Sequence, residues 1–185
     1  ITAARQVLTL AGLDEHSASL QVADYFNHVR YGAYYRDLIE PAAQLNGFDP
    51  LLLFSVMRQE SLFEGFVRST AGARGLMQIV PETGADVAAR MGWPLSFEPD
   101  MLYRPIVSVK LGTYYLASNR IYLNGDLYGA LAAYNAGPGN ALAWQELAGD
   151  DPDLFLEIVR PAETRDYIRG IYEIYNIYRT LYSPL

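Results

Sequence analysis

Glu60 is the residue whose setting points most directly to chemistry. It follows an almost unbroken apolar run, Leu51 to Met57, that is predicted to be helical. An ionised carboxylate among apolar side chains is costly unless it has a partner, so such a group pairs or shifts its pKa. The C-terminal end of a helix disfavours a negative charge as well. Both effects raise the pKa of a carboxyl group, and a raised pKa suits a general acid near neutral pH.

A purely structural role for Glu60 is equally consistent with these residues. In that interpretation its carboxylate pairs with a neighbouring arginine and only stabilises the fold. The candidate arginines are Arg58, Arg68 and Arg74. Two further acidic residues, Glu64 and Glu82, are expected to be exposed to solvent.

The elements that must position Glu60 are predicted to be helices. Asp49-Pro50 starts the Glu60 helix, because aspartate is a good N-cap and proline suits the first helical position. Gly47 and Gly92 are expected to end the helices that precede them. The other predicted helices span about residues 3–11, 18–30, 34–46, 81–91, 105–123, 127–135, 140–148 and 162–182.

The segment between Glu64 and Val80 breaks the helical periodicity and carries three glycines. It is predicted to be a loop, with at most a short hairpin. Turns are expected at 136–139 and 149–152, where glycine and proline cluster. No other run alternates well enough to propose a sheet. The predicted fold class is therefore all-α, with a loop or small hairpin beside the Glu60 helix.

Composition excludes several classes of function. The 185 residues fit one domain, and a net charge of -7 argues against a nucleic-acid partner while suiting an uncharged substrate such as a polysaccharide. The chain has no cysteine, and its two histidines, His16 and His28, lack partners at metal-ligand spacing, so no metal and no cofactor are predicted. No apolar run approaches the length of a membrane span. The 15 tyrosines suit sugar faces but also ordinary packing.

Four short motifs follow one another around and after Glu60. They are Gln59-Glu60-Ser61, Gly75-Leu76-Met77-Gln78, Ala133-Tyr134-Asn135-Ala136-Gly137 and Glu163-Thr164-Arg165-Asp166-Tyr167. In this order and with these gaps they resemble the catalytic domain of the soluble lytic transglycosylases, a family with a goose-lysozyme-like fold. The resemblance covers about residues 34–182. It implies an all-α, lysozyme-like catalytic domain at residues 34–185, preceded by an N-terminal helical segment, residues 1–33, whose role is left open.

The resemblance also implies a reaction. Glu60 would be the only catalytic carboxylate, acting on the β-1,4 bond between N-acetylmuramic acid (MurNAc) and N-acetylglucosamine (GlcNAc) in peptidoglycan. It would protonate the glycosidic oxygen and then act as base on the 6-hydroxyl of the same MurNAc, which attacks the anomeric carbon and gives a 1,6-anhydro sugar. An intramolecular nucleophile has a high effective concentration, so no second carboxylate is needed to hold water. The acetamido group of the substrate can assist at the anomeric carbon.

The first two motifs, and one serine between them, imply five supporting residues. Ser61 would orient Glu60 through a hydrogen bond, or serve only as a helix-end hydroxyl. Ser69 would contact peptide or sugar near the loop. Gly75 would permit a close backbone approach. Met77 would line the cleft against a sugar face, or fill a gap in the core, and Gln78 would line the cleft through its amide.

The last two motifs, and one tyrosine outside them, imply the remaining candidates. The hydroxyl of Tyr134 would lie near Glu60 or the acetamido group, and Asn135 would bind substrate or fix the local turn. Glu163 would support substrate or Tyr134, or only cap the last helix. Tyr115 and Tyr167 are the candidate cleft aromatics.

Two other functions remain open from the residues. A lysozyme-like hydrolase on the same scaffold would need a second carboxylate to activate water, and sequence spacing does not place Glu163 or Glu64 relative to Glu60. A non-catalytic glycan-binding module is the other, although the intact Glu60 argues against it.

The expected partner is a peptidoglycan glycan strand, bound by a monomeric domain of a longer chain. The chain starts at Ile1 with no signal-like segment, so a targeting signal or anchor is expected to lie outside it. The resemblance implies a place in the cell envelope, periplasmic or extracellular.

Overall fold

The computed structural model describes residues 24–149 and 151–182, together with residues 6, 9 and 10. Its elements are α1 (Asp24–Arg30), α2 (Arg36–Asn46), α3 (Pro50–Ser61), α4 (Pro81–Met91), the 3-10 helix η1 (Pro99–Tyr103), α5 (Pro105–Tyr122), α6 (Leu127–Ala136), α7 (Pro138–Ala148), α8 (Pro152–Ile158) and α9 (Ala162–Tyr182). Over these described residues the backbone forms no strand, and the predicted all-α class is confirmed. Most of the predicted helix at 3–11 lies outside the described residues.

Helix α3 is the central element, because it is apolar around most of its circumference. Residues 52–58 are all buried, and α9 packs along them. The carboxylate of Asp49 accepts a hydrogen bond from the backbone N–H of Leu51 at 2.8 Å, and Pro50 occupies the first turn. The predicted start of the Glu60 helix is thereby confirmed. The helix ends at Leu62, whose φ of 51° is left-handed and turns the chain into the following loop.

The segment 62–80 is irregular, as predicted. Its only regular pairing is two isolated bridges, Arg68 with Arg74 and Arg74 with Ile79. Helix α4 follows directly, and the loop is held against η1 and α5 by contacts described below.

The residues before α2 are part of the core. Arg30 and Tyr31 are both 1% exposed. The backbone carbonyl of Arg30 accepts a hydrogen bond from Arg58 at 3.0 Å, and the carbonyl of Tyr31 accepts one from the hydroxyl of Tyr182 at 2.9 Å. The chain between α1 and α2 is thus fastened to both α3 and α9.

Two elements were missed by the sequence prediction. Helix α8 occupies residues that follow the predicted turn at 149–152, and Asp151 caps it by accepting from the backbone N–H groups of Asp153 and Leu154. The 3-10 helix η1 lies in the stretch predicted to be irregular. Helix α7 also begins two residues earlier than predicted, at Pro138. Among the described helices none is both long and apolar enough to cross a membrane.

Candidate active site

Glu60 lies in the last turn of α3 and opens into a cavity of about 440 Å³. The end of α3 and the start of the loop form one side of this cavity, and the chain before α2 forms another. The lining residues used below are Arg58, Gln59, Ser61, Glu64 and Val67. The apolar run that precedes Glu60 therefore places its carboxylate at the boundary between the core and an open cavity.

The hydroxyl of Tyr167 donates a hydrogen bond of 2.5 Å to Oε1 of Glu60. This contact joins α3 to α9 across 107 positions of the chain. Burial of the carboxyl group raises the pKa of Glu60 from its ordinary 4.5 to about 7, and the Tyr167 hydrogen bond opposes that rise. Near neutral pH both forms of Glu60 are populated, so the same group can donate a proton and later accept one.

No ion pair to Glu60 occurs within the described part of the chain. Arg74 instead pairs with Asp100 at 2.7 Å, and Arg58 donates to the carbonyl of Arg30. Pairing with an arginine therefore does not account for the position of Glu60.

Ser61 does not hold Glu60. Its Oγ donates to two backbone carbonyls, those of Leu76 at 2.8 Å and Met57 at 3.2 Å. The predicted hydrogen bond between Ser61 and Glu60 is wrong, because the Ser61 hydroxyl is directed to these backbone carbonyls. Ser61 fastens the loop to the end of α3.

The side chain of Met77 is fully buried, so the prediction that it lines the cleft against a sugar face is wrong. It packs on α5 at Gly112, where an added Cβ would lie 2.6 Å from Cβ of Met77. The backbone of Met77 is held on both sides. Its N–H donates to Oγ of Ser108 at 3.0 Å, and its carbonyl accepts from the hydroxyl of Tyr134 at 2.7 Å.

Two residues give the loop its tight shape. Gly75 has a φ of 74°, and a Cβ there would lie 1.9 Å from the backbone oxygen of Leu102, so only glycine fits. Gln78 has a φ of 45° and is half-buried. Its amide nitrogen donates to the carbonyls of Gly75 and Val67 at 2.8 and 3.2 Å, which closes the loop on itself.

Ser69 shapes the turn before this loop. Its Oγ accepts from the backbone N–H of Ala73 at 3.0 Å, and the side chain is half-buried. This hydrogen bond between Ser69 and Ala73 therefore stabilises the turn.

Tyr134 stands between the loop and Glu60. Burial raises the pKa of its hydroxyl well above the ordinary value, and the negative charge of Glu60 adds to the rise. The hydroxyl thus stays protonated and donates to the carbonyl of Met77. The ring of Tyr115 lies 5.3 Å from the ring of Tyr134, which places Tyr115 at the same side of the site.

The third and fourth motifs are joined by one hydrogen bond. Oδ1 of Asn135, which is exposed, accepts from the hydroxyl of Thr164 at 2.8 Å. Glu163 is also exposed and lies in the first turn of α9. Tyr167, one turn further, is the residue of this motif that reaches Glu60.

Sequence reasoning missed Ser108 and Gly112, which hold Met77 from α5. A usable pattern was present, because two small residues four positions apart lie on one face of a helix that is rich in apolar residues. Such a face admits a close neighbour, although the sequence does not say which one.

Comparison with known proteins agrees with this geometry. The family model described as the Transglycosylase SLT domain matches residues 37–154. The soluble lytic murein transglycosylase of Salmonella typhimurium is 31% identical over 151 residues, which cover 77% of this chain and 22% of that protein. The membrane-bound lytic murein transglycosylase C of Actinobacillus pleuropneumoniae is 38% identical over 116 residues, which cover 58% of this chain and 32% of that protein.

A solved structure gives the same result for the fold. The crystal structure of the 70-kDa soluble lytic transglycosylase of Escherichia coli matches with a TM-score of 0.80 at 28% identity, covering 85% of this chain and 26% of that one. This chain thus spans no more than about a third of the length of any of these relatives. Since the family model covers more than half of the chain, the protein belongs to the Transglycosylase SLT domain family.

Proposed function

We propose that this chain is a peptidoglycan lytic transglycosylase domain, which cleaves the β-1,4 bond between MurNAc and GlcNAc and leaves a 1,6-anhydro-MurNAc end. The observation that carries the proposal is the carboxyl group of Glu60, which has a pKa of about 7 and opens into a cavity. The names of the relatives, which are lytic murein transglycosylases, support the substrate.

In the first step the protonated carboxyl of Glu60 gives its proton to the glycosidic oxygen as the bond to the anomeric carbon breaks. The GlcNAc side then leaves with a hydroxyl group. In the second step the Glu60 carboxylate takes the proton of the MurNAc 6-hydroxyl while that oxygen attacks the anomeric carbon. Glu60 ends protonated, as it began, and no water is consumed. Tyr167 holds one carboxyl oxygen throughout, which leaves the other for the substrate.

The supporting residues divide into two proposed groups. Gln78, Tyr115, Asn135 and Glu163 are proposed to contact the glycan strand or its peptides. The other five residues hold the backbone of the site in position and therefore affect the substrate only indirectly. They are Ser61, Ser69, Gly75, Met77 and Tyr134.

We propose residues 34–185 as the catalytic domain, with residues 24–33 packed against it. Murein is a cell-wall polymer, so the domain would act in the cell envelope, outside the cytoplasmic membrane. The relatives include a soluble and a membrane-bound protein. This chain is proposed to work as a monomeric domain of a longer protein of one of these two kinds.

The direct test is to digest purified peptidoglycan and weigh the released muropeptides. Anhydro products, lighter by one water than hydrolytic ones, are expected from the wild type. Products that carry the added water would contradict the proposal.

Hydrolysis is the second candidate, and one observation favours it: Glu64 lines the same cavity as Glu60. If Glu64 activated water, the Glu64→Gln variant would lose most of its activity. We expect this variant to keep its rate within about twofold, because an exposed carboxylate outside the reaction contributes little. Its products are expected to remain in the anhydro form, measured by the same mass analysis.

A further inference from the structure

Ser108 is a fully buried hydroxyl in the middle of α5, outside all four motifs. Its Oγ accepts the backbone N–H of Met77 at 3.0 Å. Met77 is itself fully buried, so water cannot replace this partner. An unsatisfied buried N–H is costly, so the contact fixes the local path of the loop.

The N–H of Met77 and the carbonyl of Leu76 belong to the same peptide group. Ser61, the residue after Glu60, donates to that carbonyl at 2.8 Å. Ser108 and Ser61 therefore hold the two ends of one peptide plane, from α5 and α3 respectively. With both ends fixed, the plane cannot rotate about its flanking bonds.

The next polar group along the chain is held as well. The carbonyl of Met77 accepts from the hydroxyl of Tyr134 at 2.7 Å. Three hydroxyls from three helices thus hold consecutive backbone groups of the loop. Gln78 follows at once with a left-handed φ of 45°, a conformation that needs support from its surroundings.

We propose that Ser108 is a positioning residue for this reaction: by holding the Leu76–Met77 peptide plane against Ser61, it sets the placement of Gln78 and of Tyr134, whose hydroxyl interacts with Glu60. Ser108 does not touch the substrate. This inference rests on the proposed function only for its effect on glycan binding, and the conformational part stands separately.

The test compares Ser108→Ala with Ser55→Ala, a matched control. Ser55 is also fully buried in a helix, but its hydroxyl donates to the carbonyl of Leu51 in its own helix at 2.7 Å. Both variants lose one buried hydroxyl, and only Ser108→Ala releases the loop. A second variant, Ser108→Cys, keeps nearly the same shape with a weak acceptor, and covers a failure of the alanine variant to fold.

Two measurements are made on each folded variant. The first is hydrogen exchange of the Met77 amide, which needs no substrate. The second is the affinity for a peptide-free tetrasaccharide of alternating GlcNAc and MurNAc, measured in the inactive Glu60→Gln background. We expect faster Met77 exchange in the Ser108 variants alone. Their affinity for the tetrasaccharide should be lower by about tenfold, which is the effect of losing one hydrogen bond between the displaced loop and the glycan.

A purely structural Ser108 would speed Met77 exchange and lower thermal stability but leave the glycan affinity unchanged. Equal Met77 exchange, or equal glycan affinity, in the Ser108 and Ser55 variants would overturn the proposal. Failure of the wild type to release anhydro muropeptides would instead count against the proposed function, and the exchange result would still decide whether Ser108 holds the loop.

Discussion

Two of the cavities in the described part of the chain have similar volumes and carry carboxylates in different settings. One, of about 440 Å³, contains Glu60. The other, of about 530 Å³, lies beside α6, α7 and α8 and is lined by Asp126 and Asp151, among others. In the second cavity Asp126 accepts from the amide of Gln145 at 3.1 Å, and Asp151 accepts from two backbone N–H groups at the start of α8.

The difference between them lies in what surrounds each carboxylate. Asp126 and Asp151 accept hydrogen bonds from an amide and from backbone N–H groups at a helix start, and these contacts stabilise the fold. Glu60 has apolar neighbours and a single phenol donor, so burial dominates and its pKa rises to about 7. Cavity size alone therefore does not identify the reactive carboxylate in this molecule.

The largest expected effect separates the two cavities directly. Glu60→Gln removes the only proposed proton donor and acceptor, so the rate of muropeptide release should fall by about 10³-fold or more. Asp126→Asn, the matched change in the other cavity, should keep the rate within about twofold, because it is remote from the reaction. Both rates are measured on the same peptidoglycan. A Glu60→Gln variant with substantial activity would show that the comparison assigns the wrong cavity.

A second prediction concerns the phenol that contacts Glu60. Tyr167→Phe removes a hydrogen bond that opposes the rise in the pKa of Glu60, so this pKa should rise further and the decline of activity at high pH should move upward. The rate near neutral pH should also fall by about tenfold, as expected for losing a hydrogen bond to a charged group. The measurement is the rate of anhydro-muropeptide release as a function of pH.

Tyr175 offers the control for this change. It lies on the same helix and donates to a carboxylate, Oδ2 of Asp49, at 2.6 Å, but that carboxylate caps a helix start. Tyr175→Phe should leave the pH profile of the reaction unchanged. Equal shifts in both variants would mean that Tyr167 acts only through general stability.

Local elements of this fold were readable from the sequence where capping residues define them. Asp49-Pro50 predicted the start of α3, and Asp151-Pro152 carries the same pair at the start of α8. The second pair was interpreted as a turn because α8 has only seven residues, too few to show helical periodicity.

Contacts between distant segments were not readable in this way. The position of Glu60 could be predicted from the apolar run before it, but its partner Tyr167 is 107 positions away and was proposed only as a cleft aromatic. The side chain of Met77 was assigned to the cleft, whereas Gly112 and Ser108 draw it onto α5. A loop sequence does not state which face of the loop meets the core, and that choice decides the role of each of its residues.

The smallest expected effect is on stability, and it follows from the sign of the pKa shift at Glu60. The pKa is about 7 in the folded protein and ordinarily 4.5, so below pH 4.5 both the folded and unfolded states carry the protonated group. As pH rises from 4.5 through about 7 the unfolded state ionises first, and folding stability is lost. The loss amounts to about 3 kcal/mol at most, from the size of the shift.

Glu60→Gln cannot ionise, so its unfolding free energy should exceed that of the wild type at pH 8 by about 1–3 kcal/mol more than at pH 4. Glu163→Gln, which alters an exposed carboxylate, is the control in the same denaturant titrations. If Glu60→Gln and the wild type respond to pH alike, burial does not raise the pKa of Glu60 in the folded protein. The contrast between the two cavities would then lie in their geometry alone.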